Sequence, residues 1–157
     1  MPTWHYSVKF QDESKIAKAV KLDIPVSVKY MREIARTIKG MKLKDAIKFL
    51  EDVIKLKQPV PFRRYHGKVS HKRGLSGRFG WPAGRYPVKG AKYALELLRE
   101  VESNAENKGL DTEKLFIVHI AAHKGITLKR YMPRAFGRST PKFRRHTNLE
   151  VVVKEVE

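Results

Sequence analysis

Two long stretches of this chain, residues 53–95 and 114–149, contain no carboxylate, although the sequence holds 16 Asp and Glu in 157 residues. Those stretches carry 20 of the 34 Lys and Arg. The remainder, with 14 basic and 16 acidic residues, has a net charge of −2 and reads as an ordinary globular surface, while the whole chain carries +18. Any fold must therefore mount two polycationic segments on a neutral body. Cations packed without interleaved anions repel one another, and a nucleic acid relieves that repulsion by exchanging condensed counterions for side chains at its phosphates. Idle surfaces usually mix both signs, so the pattern predicts a nucleic-acid-binding protein.

The absence of cysteine excludes a disulfide framework, CxxC zinc sites and thiol chemistry. No apolar run approaches the roughly 20 residues that span a bilayer, and the start, MPTWHYSVKF, lacks the apolar stretch of a signal peptide. A soluble intracellular protein without membrane insertion is expected. A basic amphipathic membrane binder would concentrate its cations on helices, whereas these lie on segments that read as loops and strands.

The length suits a single domain, residues 1–157. Met31, Ile34, Ala35 and Ile38 follow helical spacing, with Pro25 ahead of them and Gly40 placed to end the helix. Ala46, Phe49, Leu50 and Val53 repeat the pattern, and Ala91, Ala94, Leu95, Leu98 and Val101 define a third helix over residues 88–107, stopped at Gly109. Such stripes are core. The period then changes to two: Phe116, Val118 and Ile120 alternate with Ile117 and His119, and the closing LEVVVKEV is β-branched. The expected fold class is α+β, with three helices packed on a small antiparallel sheet of about three strands, the third supplied by residues 17–24.

Between the last two strands lies ITLKRYMPRAFGRSTPKFRRHTN, strand-like at both ends, with Pro133, Gly137 and Pro141 in its middle. Alternation continues through Ile126, Leu128 and Arg130 on one arm and Phe143, Arg145, Thr147 and Leu149 on the other. Residues 123–148 thus read as a long extended hairpin, which at about 3.3 Å per residue reaches roughly 40 Å. It carries eight cations and no anion over residues 124–145. An isolated ribbon is marginal in water, so this one is expected to be ordered by a partner that covers it; the other reading is a basic loop, disordered in the free protein.

The second polycationic segment, residues 58–90, is a Gly-, Pro- and aromatic-rich insertion between helices whose cations alternate with Phe62, Tyr65, Phe79, Trp81 and Tyr86. Unstacked bases can lie on such rings while Arg and Lys hold phosphates, a combination suited to looped RNA. The same rings could instead staple the segment to its own domain. Both can hold together.

No catalytic constellation emerges. His119 and His123 fall on a strand, roughly 13 Å apart and too far to share an ion, so no metal is expected. GLSGRFG, residues 74–80, matches neither a Walker loop nor a dinucleotide fingerprint, and the glycines and prolines around it predict no regular element. The carboxylates are remote in sequence from the basic segments, which leaves no two-metal nuclease, and His66, His71 and His146 read as RNA contacts before general bases. Neither an enzyme nor a cofactor is expected.

The string KRYMPRAFGR, residues 129–138, placed on a hairpin, resembles the large-subunit ribosomal protein family numbered twenty-two in bacteria and seventeen in eukaryotes. AxxIKGMKLKDAIKFL is similar to that family's first helical pair, ESNAENKGLD to the end of its third helix, and VPFRRYHG to the archaeal and eukaryotic insertion. The likeness covers nearly the whole chain. MPRAxGR together with the insertion resembles an archaeal member, although Phe136 stands where bacterial members often carry Lys, which alters the contact chemistry expected there.

The resemblance implies a structural constituent of the large subunit of the cytoplasmic ribosome, with three helices on a three-stranded sheet. It implies a hairpin that runs through large-subunit rRNA to the wall of the nascent-peptide exit tunnel, and a body beside neighbouring large-subunit ribosomal proteins, with no homo-oligomer. Carried over residue by residue, Lys129, Arg130, Lys142, Arg144 and Arg145 would bind rRNA along the arms. Met132, Pro133, Arg134, Ala135, Phe136, Gly137 and Arg138 would form the tunnel tip beside the passing nascent polypeptide. Arg63, Arg64, Tyr65, Lys68, Lys72, Arg73, Arg78, Trp81 and Arg85 would hold rRNA from the insertion, and a pin between RNA segments would also aid subunit assembly. From the residues alone, a free-standing RNA chaperone or translational regulator, an RNA-modifying enzyme and a DNA-compacting protein stay open; the first would need no single long hairpin, the second a clustered acid, base or metal set, and the third a dimer interface.

Overall fold

The structure, a computed structural model, describes residues 4–10 and 13–156. In chain order it comprises β1 (Ile16–Ile24), α1 (Val28–Ile38), α2 (Leu43–Ile54), β2 (Val60–Pro61), α3 (Leu75–Phe79) and β3 (Gly84–Arg85). There follow α4 (Val88–Asn107), β4 (Leu115–Leu128), β5 (Tyr131–Pro133), β6 (Ser139–Pro141) and β7 (Arg144–Glu155). The β-branched β7 takes the centre of a three-stranded antiparallel sheet ordered β1-β7-β4. Leu149, Val151 and Val153 on its one face pack with Ala17, Ala19, Leu115 and Ile117 against the apolar stripes of α1, α2 and α4. The helix expected over residues 88–107 is α4. Gly90 lets it close on α1, because an added Cβ there would lie 2.8 Å from Ile34 Cδ1 and 3.1 Å from Met31 Sδ.

The α+β fold of helices on a three-stranded antiparallel sheet is as expected, with a fourth helix added. The insertion was expected to hold no regular element, yet Leu75–Phe79 makes a short turn of helix bounded by Gly74 at φ 78° and Gly80 at φ 64°. Its anchor is Leu75, buried against Gly84, where an added Cβ would meet Leu75 Cδ2 at 2.5 Å. Two left-handed glycines and one buried leucine are enough to fix a helix too short to show a period.

The second difference concerns His119 and His123. In β4 the register with β7 shifts between Ile117 and His119. That bulge leaves Val118 37% exposed and brings Ile120 to the core, which strict alternation from Phe116 would not do. Ala121 then stands opposite Glu150 on the face away from the helices, and His119 and His123 flank it two residues to either side. Both rings lean inward, so that His119 Nε2 lies 3.0 Å and His123 Nε2 3.2 Å from Glu150 Oε1. The roughly 13 Å expected between them describes the backbone along the strand and not the ring nitrogens. Among the described residues no group of three or more His, Cys, Asp or Glu side chains is arranged to hold a metal ion.

That face is covered by residues 4–10. Trp4 Nε1 donates to Glu150 Oε2 at 2.8 Å, the Ser7 backbone N–H lies 3.3 Å from both carboxylate oxygens, and the Ser7 hydroxyl donates to Oε1. The Ser7 hydroxyl also stands 3.0 Å from His119 Nε2. Serine, histidine and carboxylate meet here, but His119 offers both partners the same nitrogen. It therefore does not relay between them as a catalytic triad requires. The cluster ties the N-terminal segment to the sheet.

Candidate nucleic-acid interface

Past Lys124 the two long strands leave the body and continue as a ribbon. Its register runs through Thr127 opposite Arg145 and Leu128 opposite Arg144, then Tyr131 opposite Pro141, Met132 opposite Thr140 and Pro133 opposite Ser139. The ribbon supplies most of the exposed large apolar side chains, among them Ile126 (52%), Tyr131 (61%) and Phe136 (93%). Such exposure on a free surface marks contacts still to be made. Its own stabilising contacts are few: an edge-on pair of Tyr131 and Phe143 at 6.0 Å, and the Lys142 N–H donating to Arg130 O at 2.6 Å. At the tip the Arg134 N–H donates to Arg138 O at 2.8 Å and Arg134 Nε donates to Thr140 Oγ1 at 3.1 Å. Phe136 and Gly137 follow one another at φ 55° and 66°. A bulky residue held in the left-handed region with its ring in solvent is strained for its own fold.

Ion pairs fall elsewhere. Among the described residues Lys18, Lys21, Lys44 and Arg99 pair with Glu13, Glu96, Glu100, Glu113 and Glu51, and no cation of the ribbon or the insertion is in an ion pair. Lys124, Lys129, Arg130, Arg134, Arg138, Lys142, Arg144 and Arg145 are all exposed.

The insertion divides into stapled and free side chains. Phe62 is fully buried, Phe79 meets Phe49 edge-on at 5.9 Å, and Trp81 donates from Nε1 to Phe62 O at 2.7 Å while standing edge-on to His66. Arg63 donates to Phe79 O at 3.0 Å, Arg78 lies over the Phe49 and Phe79 rings and bonds Gln58, and Arg85 bonds the Tyr30 hydroxyl. Lys72 sits 5.8 Å from the Tyr86 ring. Arg64, Lys68 and Arg73 remain exposed to solvent. A buried carboxylate sets the start of this segment: Glu33 of α1, 1% exposed, accepts the backbone N–H groups of Arg63, Arg64 and Tyr65 at 3.0, 3.0 and 3.2 Å.

One basic element was missed in the sequence. Lys29, Arg32 and Arg36 recur at helical spacing along the outer face of α1, and Lys39 follows at its C-cap. Lys29 and Arg32 stand over the Tyr65 ring at 5.4 and 5.8 Å, beside Arg64 at 6.0 Å. At its other border Lys29 lines a cavity with Lys124 and Arg145 of the ribbon. The helix thus joins the two carboxylate-free segments into one basic surface. Its signal in the sequence is the three- and four-residue spacing of those cations on the polar face of the helix.

Fold and surface together define a class: a small α+β body with a projecting ribbon whose cations, among the described residues, lack ion-pair partners. The family model described as "Ribosomal protein L22p/L17e" matches residues 19–154, and the chain belongs to that family. It is 67% identical over 157 residues, all of both chains, to "Large ribosomal subunit protein uL22" of Staphylothermus marinus. The protein of the same name from Aeropyrum pernix is 58% identical over 156 residues, which cover 99% of this chain and 100% of that one. That of Methanocaldococcus jannaschii is 55% identical over 150 residues, 96% of this chain and 94% of its own. The chain is of the archaeal type, and the family is structural rather than enzymatic.

Proposed function

We propose that this protein is a structural constituent of the large subunit of the cytoplasmic ribosome, where it binds large-subunit rRNA, supports assembly and lends its hairpin tip to the exit-tunnel wall. The observation that carries the reading is the ribbon: eight exposed cations without ion pairs, on an arm held by little of its own core. Residues 123–148 act as the pin, with Lys129, Arg130, Lys142, Arg144 and Arg145 on phosphates. Residues 58–90 act as the clamp. In the clamp, Arg64, Lys68 and Arg73 reach outward, with Tyr65 set among cations as a stacking platform, while Arg63, Arg78, Arg85 and Trp81 hold the segment in shape and meet RNA at their remaining edges, with Lys72. Residues 132–138 form the tip, where the exposed Phe136 ring offers an apolar contact to a peptide or a base.

Two variants separate anchoring from tunnel function. Deleting Met132, Pro133 and Arg134 shortens one arm near the tip but leaves the arm cations, so subunits should assemble while peptide passage or the response to tunnel-binding antibiotics changes. Converting Lys129, Arg130, Arg144 and Arg145 to Ala removes charge-assisted contacts worth about 1–3 kcal/mol each and should impair assembly first. Normal assembly, elongation and drug response in both would make the hairpin dispensable and the mechanism wrong.

A further inference from the structure

Where the ribbon leaves the body, α1 and the two long strands enclose a cavity of about 460 Å³ whose polar lining is Lys29, Lys124, Thr127, Arg145 and His146. Among the described residues no carboxylate lines it. The ladder is broken at this point, since the register of β4 against β7 shifts between Lys124 and Thr127. Gly125 sits in the break, where an added Cβ would stand 3.0 Å from Asn148 Oδ1 and 3.1 Å from the backbone carbon of His146. His146 borders the cavity through atoms other than its ring nitrogens, which are sealed from solvent. The N-terminus of α1 adds to the same potential, for the Ser27 side chain makes no capping bond and the first turn holds no acidic residue.

We propose that this cavity seats one phosphodiester of an RNA strand, its charge shared by Lys29, Lys124 and Arg145. The proposal rests on the rRNA-binding reading and specifies a site within it. The space exceeds what a bare phosphate fills and admits the attached ribose. Because Lys29 belongs to α1 and the others to the strands, one bound phosphate fastens the root of the ribbon to the body and sets the direction in which it leaves.

The test uses the full chain in two arms. In the first, the salt dependence of binding to large-subunit rRNA is measured for Lys29→Ala, Lys124→Ala and Arg145→Ala, singly and combined. Sharing of one phosphate predicts that the triple variant loses about 0.7–0.9 from the slope of log affinity against log salt, hardly more than a single variant. A loss of about two or more shows separate contacts, and no loss shows none; either overturns the proposal. In the second arm, the backbone amide resonances of Gly125 and Thr127, which line the cavity, are followed while dimethyl phosphate, inorganic phosphate or chloride is added at constant ionic strength. Saturable movement with dimethyl phosphate, abolished in the triple variant, supports a diester site. Movement with inorganic phosphate alone assigns the cavity to free anions and overturns the RNA source, and movement equal to that with chloride removes the site. Unchanged rRNA binding with silent Gly125 and Thr127 amides sinks the cavity proposal alone, whereas a wild type that does not bind rRNA sinks the function on which it rests.

Discussion

Glu150 keeps a fully buried side chain in the middle of the sheet's outer face, where Trp4, Ser7 and His119 donate to it. Burial pushes its carboxyl up, but the hydrogen bonds from Ser7, Trp4 and His119, with the His123 ring nitrogen 3.2 Å away, outweigh burial and bring it from 4.5 down to about 2. The folded value lies below the unfolded one, so this stabilisation is complete above about pH 4.5 and is lost as pH falls towards 2. It amounts to about 3 kcal/mol. Glu150→Gln should therefore be less stable at pH 7 and lose less on acidification, with urea midpoints converging near pH 2; parallel acid limbs would assign the titration to other groups. Glu33 does for the insertion what Glu150 does for the N-terminus. Glu33→Ala strands three backbone N–H groups and should cost about 1–3 kcal/mol, with fast amide exchange at Arg63, Arg64 and Tyr65; unchanged exchange there would show that the loop needs no such anchor. Neither role was legible in the sequence. Glu150 lies 143 residues from Ser7 and Glu33 lies 30 from Arg63, and no local pattern links such partners.

The regular elements were readable in proportion to their length and burial. α4 shows five turns of apolar spacing, and its bounds match the sequence reading because Gly109 follows at φ 75° and no other phase of the pattern fits. Five residues of α3 show no period, and the bulges of β4 depend on β7, which lies far along the chain. The hairpin was legible for the opposite reason. Apolar alternation persists through Ile126, Leu128 and Phe143, where there is no core to bury it. With so few internal contacts the distal ribbon should be mobile in the free protein: amides over residues 129–143 should exchange orders of magnitude faster than those of Ile117 and residues 151–153. Equal protection would show that the ribbon orders itself without RNA.

Among the described residues, ion pairing of Lys and Arg is confined to the side built from β1, α2 and α4, while α1, the insertion and the ribbon gather cations without ion-pair partners. Charge blocks in the sequence revealed two of these three parts. The third, the α1 stripe, was diluted by Glu33, which counts as an acid in the sequence but is buried in the fold and spent on backbone N–H groups. A surface joined in this way should engage many phosphates at once. The most direct test is the affinity of the full chain for large-subunit rRNA between 50 and 200 mM salt, beside the variant with Lys129, Arg130, Arg144 and Arg145 converted to Ala. With six or more phosphates engaged, wild-type affinity should fall by at least about a thousandfold over that range, and the variant should bind more weakly with a flatter slope. A shallow wild-type slope, or a variant indistinguishable from wild type, would contradict the claim that the ribbon's unpaired cations hold the RNA.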